Sequence, residues 1–265
     1  MSTNRFDRIE MCMGTGFRFQ GQSELEAGPT DLALQAACAI LHDADQIFST
    51  YKPESPISKL AAGKTSVAEC PAVVGEIWDA CEEWEKRTDG WFSAFSPDHT
   101  FDPSGLVKTW AAKRAADSLI AAGVTDFTLN AGGDVYISDA ASAEFDWRIG
   151  LSMPISIASD KAGTLTVIDL KGTEFRAAAT SGSAERGNHI WNPKSAGREF
   201  ATELLQITVV ARDLVEADVW ATAAFAQGLA SMARIDANEH LEAICILSDG
   251  QVAATTGFAA LIARG

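Results

Sequence analysis

One polar segment has the composition of a phosphate-binding helix start. Asp102-Pro103-Ser104-Gly105 leads into a predicted helix over Leu106–Ala122, and Lys108 lies in the first turn of that helix. The free N–H groups and the positive dipole of a helix N-terminus attract phosphate, and a lysine beside them reinforces the attraction. A plain helix entry capped by Ser104 explains the same residues, so both interpretations stay open at this point.

A second segment pairs a carboxylate with a hydroxyl. Asp218 and Thr222 are four residues apart at the start of a predicted helix over Ala217–Ala230, so they share one helical face. Carboxylate and hydroxyl oxygens suit Mg²⁺, which takes one or two protein ligands together with waters and substrate phosphates. The competing interpretation is a capping aspartate with an incidental threonine.

Two further segments combine polar residues with glycine. In Asn130-Ala131-Gly132-Gly133-Asp134 the glycines allow a sharp turn or the close approach of a ligand, and Asp134 either binds a nucleotide or steadies the turn. The segment lacks the spacing of a phosphate loop or a dinucleotide fingerprint. The segment from Thr180 to His189 contains a Ser–His pair, but no G-x-S-x-G elbow and no obvious third triad member accompany it.

The elements that must position these residues are helices followed mainly by strands, which favours an α+β fold. Helical periodicity predicts three helices before residue 123 and one near residue 220: Asp31–Phe48, Ala72–Arg87, Leu106–Ala122 and Ala217–Ala230. Short β-type runs predict seven strands: Phe127–Ala131, Val135–Ser138, Trp147–Leu151, Leu165–Leu170, Leu204–Ala211, Cys245–Leu247 and Val252–Thr256. The segments Tyr51–Thr65 and Thr180–His189 are predicted to be polar loops.

Composition narrows the possible partners. The chain has 265 residues, 47% of them hydrophobic, and 21 basic against 36 acidic residues give a formal net charge of −15. Such an acidic surface repels nucleic acid, so a phosphate-bearing substrate needs a local cation, a helix N-terminus or a metal. No apolar run is long enough for a secretory signal or a membrane span. Five cysteines without a C-x-x-C pair indicate neither a disulfide framework nor a zinc site, and we expect a cytoplasmic protein.

The order and spacing of six motifs carry a family resemblance. They begin with Met13-Gly14-Thr15 and continue with Phe48–Tyr51 and Glu54–Leu60, Asp102–Lys108, Asn130–Asp134, Thr180-Ser181-Gly182 with His189–Pro193, and Ala217-Asp218 with Thr222. This series, over about residues 11–258, resembles the FAD:protein FMN transferases of the ApbE-like family. The resemblance implies one α+β domain over residues 1–265, with antiparallel sheets flanked by helices. It also implies two lobes, with the FAD and metal site in the cleft between them.

The resemblance further implies an activity. Members of the family use Mg²⁺ to split FAD at its pyrophosphate, release AMP and join FMN through its phosphate to a Thr or Ser hydroxyl of an acceptor flavoprotein. Matching positions assign FAD contacts to Met13, Tyr51, Asp102, Lys108, Gly133, Asp134 and Ile190. They assign the metal to Asp218, Thr222 and the backbone of Gly105, and catalysis to Asp218, Lys108 and His189.

This sequence departs from the family pattern at three positions. Thr109 stands where many members have Gly, Ala184 where Tyr is common, and Asn192 where the segment after His189 usually has Asp. The loop between Phe95 and Asp102 is also shorter than in long members. Two other functions stay open: an Mg²⁺-dependent FAD pyrophosphatase that uses water as acceptor, and a flavin-binding or storage protein whose metal site has been lost.

Overall fold

The computed structural model of the protein describes residues 3–96, 100–154, 163–183, 190–195 and 199–264. The chain divides into two units: the first contains Met1–Asp89 and Ser93–Phe145, and the second contains Gly90–Phe92 and Asp146–Gly265. Each unit combines helices with antiparallel strands, which confirms the predicted α+β class.

The first unit is an antiparallel sheet with helices packed on it. Its elements, in chain order, are β1 (Asn4–Cys12), β2 (Thr15–Ser23), α1 (Ala27–Phe48), α2 (Pro56–Ala61), a 3-10 helix (Val67–Glu69), α3 (Ala72–Arg87), α4 (Ser104–Ala121), β3 (Asp126–Ala131) and β4 (Asp134–Ile137). Within this unit the strands pair in the order β1-β2-β3-β4. The longest helices, α1 and α4, contact each other and the sheet.

Side-chain size explains how α1 and α4 pack. The side of α4 that faces the core consists largely of alanines, among them Ala111, Ala112 and Ala115, which are completely buried. Phe17 and Phe19 of β2, the strand between β1 and β3, are also completely buried. Small residues on a helix and large ones on the sheet interdigitate, and this packing holds α4 in a fixed position over the strands.

Two tight turns lie at the same end of this sheet, which we call the turn end. Met13-Gly14 joins β1 to β2 and Gly132-Gly133 joins β3 to β4, and all four residues have positive φ angles, as two-residue hairpin turns require. Phe17 pairs with Ala131, so the start of β2 and the end of β3 are neighbours. A side chain at Gly132 would collide with Thr15, which explains why glycine is needed there.

The second unit has a four-stranded antiparallel sheet and a separate hairpin. Its elements are β5 (Arg148–Ser152), β6 (Thr164–Asp169), β7 (Ala177–Gly182), β8 (Leu204–Ala211), α5 (Leu214–Gln227), α6 (Ser231–Asp236), β9 (Glu242–Leu247), β10 (Val252–Ala254) and a 3-10 helix (Phe258–Leu261). The strands of the larger sheet pair in the order β7-β8-β9-β10, while β5 pairs with β6. Helix α5 packs against β7 and β8 and is buried over most of its surface.

The predicted elements agree with the structure where hydrophobic periodicity is strong and differ where it is weak. Helix α3 has the predicted bounds, and Asp249-Gly250 forms the predicted turn between β9 and β10. The prediction of a loop over Tyr51–Thr65 is wrong at Pro56–Ala61, which forms α2. The prediction of a loop over Thr180–His189 is wrong at its start, where β7 continues to Gly182, and residues 184–189 lie outside the described residues. The sequence patterns do not predict strands β1, β2 and β7 or helix α6. In the described part of the chain, no helix combines the length and hydrophobicity needed to cross a membrane.

The cysteines provide a test of this packing. All five are free thiols: Cys12, Cys38, Cys81 and Cys245 are buried, and Cys70 is partly exposed. Burial raises the pKa of Cys12 and Cys38 to about 11 and that of Cys81 to about 12, so their reactive thiolates are scarce at pH 8. We therefore expect one rapidly reacting thiol, Cys70, when the native protein meets Ellman's reagent. Cys70→Ser should remove the rapid phase, and a rapid phase that survives would contradict the packing.

Candidate functional site

Three candidate residues lie at or near the start of α4. Asp102 precedes the helix, and its carboxylate accepts a hydrogen bond of 3.0 Å from the backbone N–H of Ser104. Ser104 is the first helical residue and makes no side-chain cap, so the interpretation of Ser104 as the cap is wrong. Gly105 is exposed in the first turn. Lys108 lies one residue beyond that turn, since α4 begins at Ser104 rather than at Leu106.

The structure brings two candidate residues into direct contact. The ammonium of Lys108 forms an ion pair with the carboxylate of Asp134, the first residue of β4. Asp134 follows the Gly132-Gly133 turn, in which the side-chain oxygen of Asn130 accepts a hydrogen bond of 2.8 Å from the N–H of Gly133. The ion pair therefore links the start of α4 to the turn end of the sheet.

Met13 and Tyr51 lie at the same end of the first unit. Met13 adopts the left-handed conformation with φ of 51°, which is uncommon for a residue other than glycine and is here required by the β1–β2 turn. The second half of α1 lies close to this turn: Cys12 Sγ, next to Met13, donates a hydrogen bond of 3.4 Å to the carbonyl of Leu41. Tyr51 follows the end of α1, and 95% of its surface is exposed.

The loop that carries Tyr51 is anchored on both sides. The carbonyl of Ser49 accepts hydrogen bonds of 2.7 Å from Ser55 Oγ and 3.2 Å from Ser58 Oγ. Ser55 also caps α2 by accepting a hydrogen bond of 3.0 Å from the N–H of Ser58. An exposed aromatic ring on an anchored loop offers its face to a planar ligand with little loss of backbone entropy on binding.

The second unit contains the predicted metal-binding pair. Asp218 and Thr222 lie on one face of α5, and Asp218 is only 5% exposed. The prediction that Asp218 lies in the first turn is wrong, because α5 begins at Leu214. The cap is Asp213, whose carboxylate accepts hydrogen bonds from the N–H groups of Val215 and Glu216 at 2.8 and 3.1 Å. Asp218 is therefore a buried carboxylate in the helix interior, and the capping interpretation of this residue is excluded.

Sequence reasoning assigned no role to Ser181, which lies beside this pair. Ser181 is buried near the end of β7, and its hydroxyl is 3.4 Å from the hydroxyl of Thr222. On the neighbouring strand β8, Thr208 makes a hydroxyl contact of 2.8 Å with Thr180. The signal in the sequence was the Thr180-Ser181-Gly182 motif itself. The contact between the Ser181 hydroxyl and Thr222 depends on the packing of α5 against β7, which the sequence does not reveal.

The side-chain oxygens of Asp218 and Thr222 are of the kind that Mg²⁺ binds in proteins. Among the described residues, no cluster of three or more His, Cys, Asp or Glu side chains is arranged to hold a metal ion. One buried carboxylate with neighbouring hydroxyls leaves most of a six-coordinate shell to waters and phosphate oxygens, which is how Mg²⁺ usually binds. The donor set does not fit zinc, which prefers nitrogen and sulfur ligands in a closed shell.

Of the two remaining predicted site residues, only Ile190 is in the described part of the chain. Ile190 lies in the second unit, where its carbonyl accepts a hydrogen bond of 2.9 Å from the N–H of Ala201, next to a bridge between Trp191 and Phe200. His189 lies outside the described residues, so its role stays a prediction.

Comparison with known proteins identifies the family. Residues 94–245, more than half of the chain, match the family model described as the ApbE family. The chain belongs to the ApbE family. The matched segment contains both the start of α4 and the Asp218–Thr222 pair, while Met13 and Tyr51 precede it.

Curated ApbE relatives carry the name FAD:protein FMN transferase. The chain is 28% identical to one from Klebsiella pneumoniae (strain 342) over 161 residues, which cover 59% of this chain and 48% of that protein. It is 25% identical to one from Escherichia coli (strain K12) over 163 residues, or 58% and 44% of the two chains. The matched part of the chain thus spans about half the length of these relatives.

Solved ApbE structures share the fold. The ApbE protein of Thermotoga maritima superimposes with a TM-score of 0.81 at 20% identity, covering 98% of this chain and all of that one. The apo form of the Pseudomonas stutzeri flavinyl transferase ApbE gives a TM-score of 0.81 at 19% identity, covering 99% and 98%. These matches confirm the expected combination of helices and antiparallel sheets.

Proposed function

We propose that the protein is an FAD:protein FMN transferase that moves FMN from FAD to a Thr or Ser hydroxyl of an acceptor flavoprotein and releases AMP. The observation that carries the proposal is the ApbE family match over residues 94–245. That segment retains Asp102 and Lys108 in the first unit, and Asp218 and Thr222 in the second.

The turn end of the first unit supports the binding of FAD. A chain with a net charge of −15 repels a pyrophosphate unless a cation and backbone N–H groups are available locally. The start of α4 offers the backbone of the exposed Gly105, since the N–H of Ser104 is held by Asp102, and Lys108 adds an ammonium further along the helix. In this proposal Met13, Gly133 and Tyr51 contact the rest of FAD, with Tyr51 stacking on one of its ring systems.

The second unit supports the binding of Mg²⁺. Asp218 and Thr222 would hold the ion, and the ion would neutralise the charge that develops on the phosphate oxygens. The buried hydroxyl of Ser181, 3.4 Å from that of Thr222, limits the orientations open to the Thr222 side chain. The backbone of Gly105 stays a predicted further ligand.

The reaction exchanges the phosphoanhydride bond of FAD for a phosphoester bond to the acceptor. The oxygen of the acceptor hydroxyl forms a bond to the phosphorus of the FMN half of FAD. The bond from that phosphorus to the bridging oxygen breaks, and AMP leaves with the bridging oxygen and its electron pair. A base accepts the hydroxyl proton, and we propose His189 for this role. Lys108 donates a charge-assisted hydrogen bond to the phosphate oxygens, since phosphoryl transfer depends mainly on positioning and charge neutralisation.

The decisive experiment incubates the protein with FAD, Mg²⁺ and a candidate FMN-binding acceptor protein. The intact mass of the acceptor and the amount of released AMP are then measured. We expect the acceptor to gain one FMN unit and AMP to appear in equal amount. An acceptor incubated with FAD and Mg²⁺ alone is the control. Free FMN with an unmodified acceptor would indicate the pyrophosphatase, and FAD binding without AMP release would indicate a non-catalytic flavin-binding protein.

A further inference from the structure

Asp134 is the most deeply buried of the predicted cofactor ligands. Its residue surface is only 1% exposed, whereas the side chain of its partner Lys108 is 22% exposed. A bound ligand touches surface that is accessible in the free protein, unless the protein rearranges. Lys108 meets that condition and Asp134 does not.

The backbone around Asp134 fixes the position of its carboxylate. Asp134 pairs with Ala131 across the two-residue turn, and both central glycines of the turn hold positive φ angles. The Asn130 side chain further secures the turn through its hydrogen bond to Gly133. The carboxylate thus projects from a rigid hairpin, while Lys108 projects from a helix on a long, flexible side chain.

A buried carboxylate is costly unless a cation or several hydrogen bonds compensate it. The ion pair with Lys108 provides such compensation. It also restrains the ammonium, which stands at the end of a flexible four-carbon side chain. An ammonium has three N–H donors, and one carboxylate oxygen engages one of them. Pairing with Asp134 therefore sets the direction in which Lys108 presents its charge.

We propose that Asp134 is a positioning residue that holds the Lys108 ammonium at the start of α4, and that it does not itself touch FAD. This inference rests on the proposed function, because it assigns the restrained ammonium to the pyrophosphate of FAD. It replaces the sequence-based prediction of Asp134 as a direct cofactor ligand. Restraint of this kind lowers the entropy lost when the lysine binds a phosphate.

The test is a double-mutant cycle read out by FAD affinity, without Mg²⁺ so that no turnover occurs. Asp134→Asn should raise the Kd for FAD roughly tenfold in the wild-type background, the scale of one hydrogen bond to a charged group. In the Lys108→Met background the same substitution should change the Kd less than about twofold, because Asp134 acts only through the lysine. Equal losses in both backgrounds would show direct contact with FAD and overturn the inference.

Thermal unfolding of the same four proteins provides the structural control. Lys108→Met should lower Tm by roughly 10 °C, because it leaves a buried carboxylate without its cation, and adding Asp134→Asn should restore much of the loss. No restoration would show that the two residues are uncoupled and would also overturn the inference. A wild-type protein that fails to bind FAD would instead overturn the proposed function, so the two failures are distinguishable.

Discussion

Asp218→Asn should lower the rate of AMP release by about 10²–10³-fold, the loss seen when one electrostatic contact to the transition state is removed from other enzymes. The substitution keeps the size and shape of the side chain but removes its charge. A neutral amide oxygen is a weaker ligand for a hard divalent cation than a carboxylate oxygen. We therefore expect the remaining activity to require a higher Mg²⁺ concentration, while FAD affinity without metal changes little.

The position of Asp218 explains why the effect should be on activity rather than on the start of the helix. Asp213, not Asp218, caps α5, so the helix keeps its cap in the variant. Asp218 lies one turn from Thr222 and is 5% exposed, so asparagine occupies the same restricted space.

Asp213 also provides the matched control. Asp213→Asn removes one negative charge from the same helix, and asparagine caps helices about as well as aspartate. This variant should retain the wild-type rate and Mg²⁺ dependence. The measurement is AMP release against Mg²⁺ concentration for the three proteins, with circular dichroism to establish folding. If Asp218→Asn matched the wild type at every concentration, the metal would have to bind elsewhere.

The sequence predicts the four long helices well because their apolar residues recur with helical spacing, whereas the six-residue helices α2 and α6 are too short to show such a pattern. Helix α3 is an example: Val74, Ile77 and Cys81 are buried on one face, and its predicted bounds match the structure. Strand β1 lacks an equivalent signal, since only one of its nine residues is buried and five of the first seven are polar or charged. Strand β2 does carry one, because Phe17 and Phe19 alternate with Arg18 and are both buried.

In the candidate site, too, the sequence predicts local contacts along one helix but not contacts between elements. Spacing along one helix predicted that Asp218 and Thr222 share a face, because helical geometry alone determines it. The contact between Lys108 and Asp134 depends on how α4 packs near β4, and residues 26 positions apart carry no local signal of that kind. Ser181 was hidden for another reason: its strand begins with three alanines, which favour strands weakly.

The second large effect concerns FAD binding at the turn end of the first unit. Tyr51→Ala should raise the Kd for FAD about 5- to 150-fold, which corresponds to the roughly 1–3 kcal/mol that stacking of one base on an aromatic ring contributes. Tyr51 is 95% exposed and buries almost nothing in the free protein, so its removal should leave the free energy of unfolding within about 0.5 kcal/mol of the wild-type value.

Two variants separate stacking from other causes. Tyr51→Phe keeps the ring and loses only the hydroxyl, so it should bind FAD nearly as well as the wild type if the ring face makes the contact. Leu32→Ala removes another exposed apolar side chain, 66% accessible, from α1 of the same unit and should leave FAD affinity unchanged. Quenching of FAD fluorescence on titration with each protein gives the four Kd values. The loop that carries Tyr51 is anchored, so the ring has the same position in the free and the bound protein. If Tyr51→Ala and the wild type bound FAD with equal Kd, the exposed ring would therefore not contact FAD.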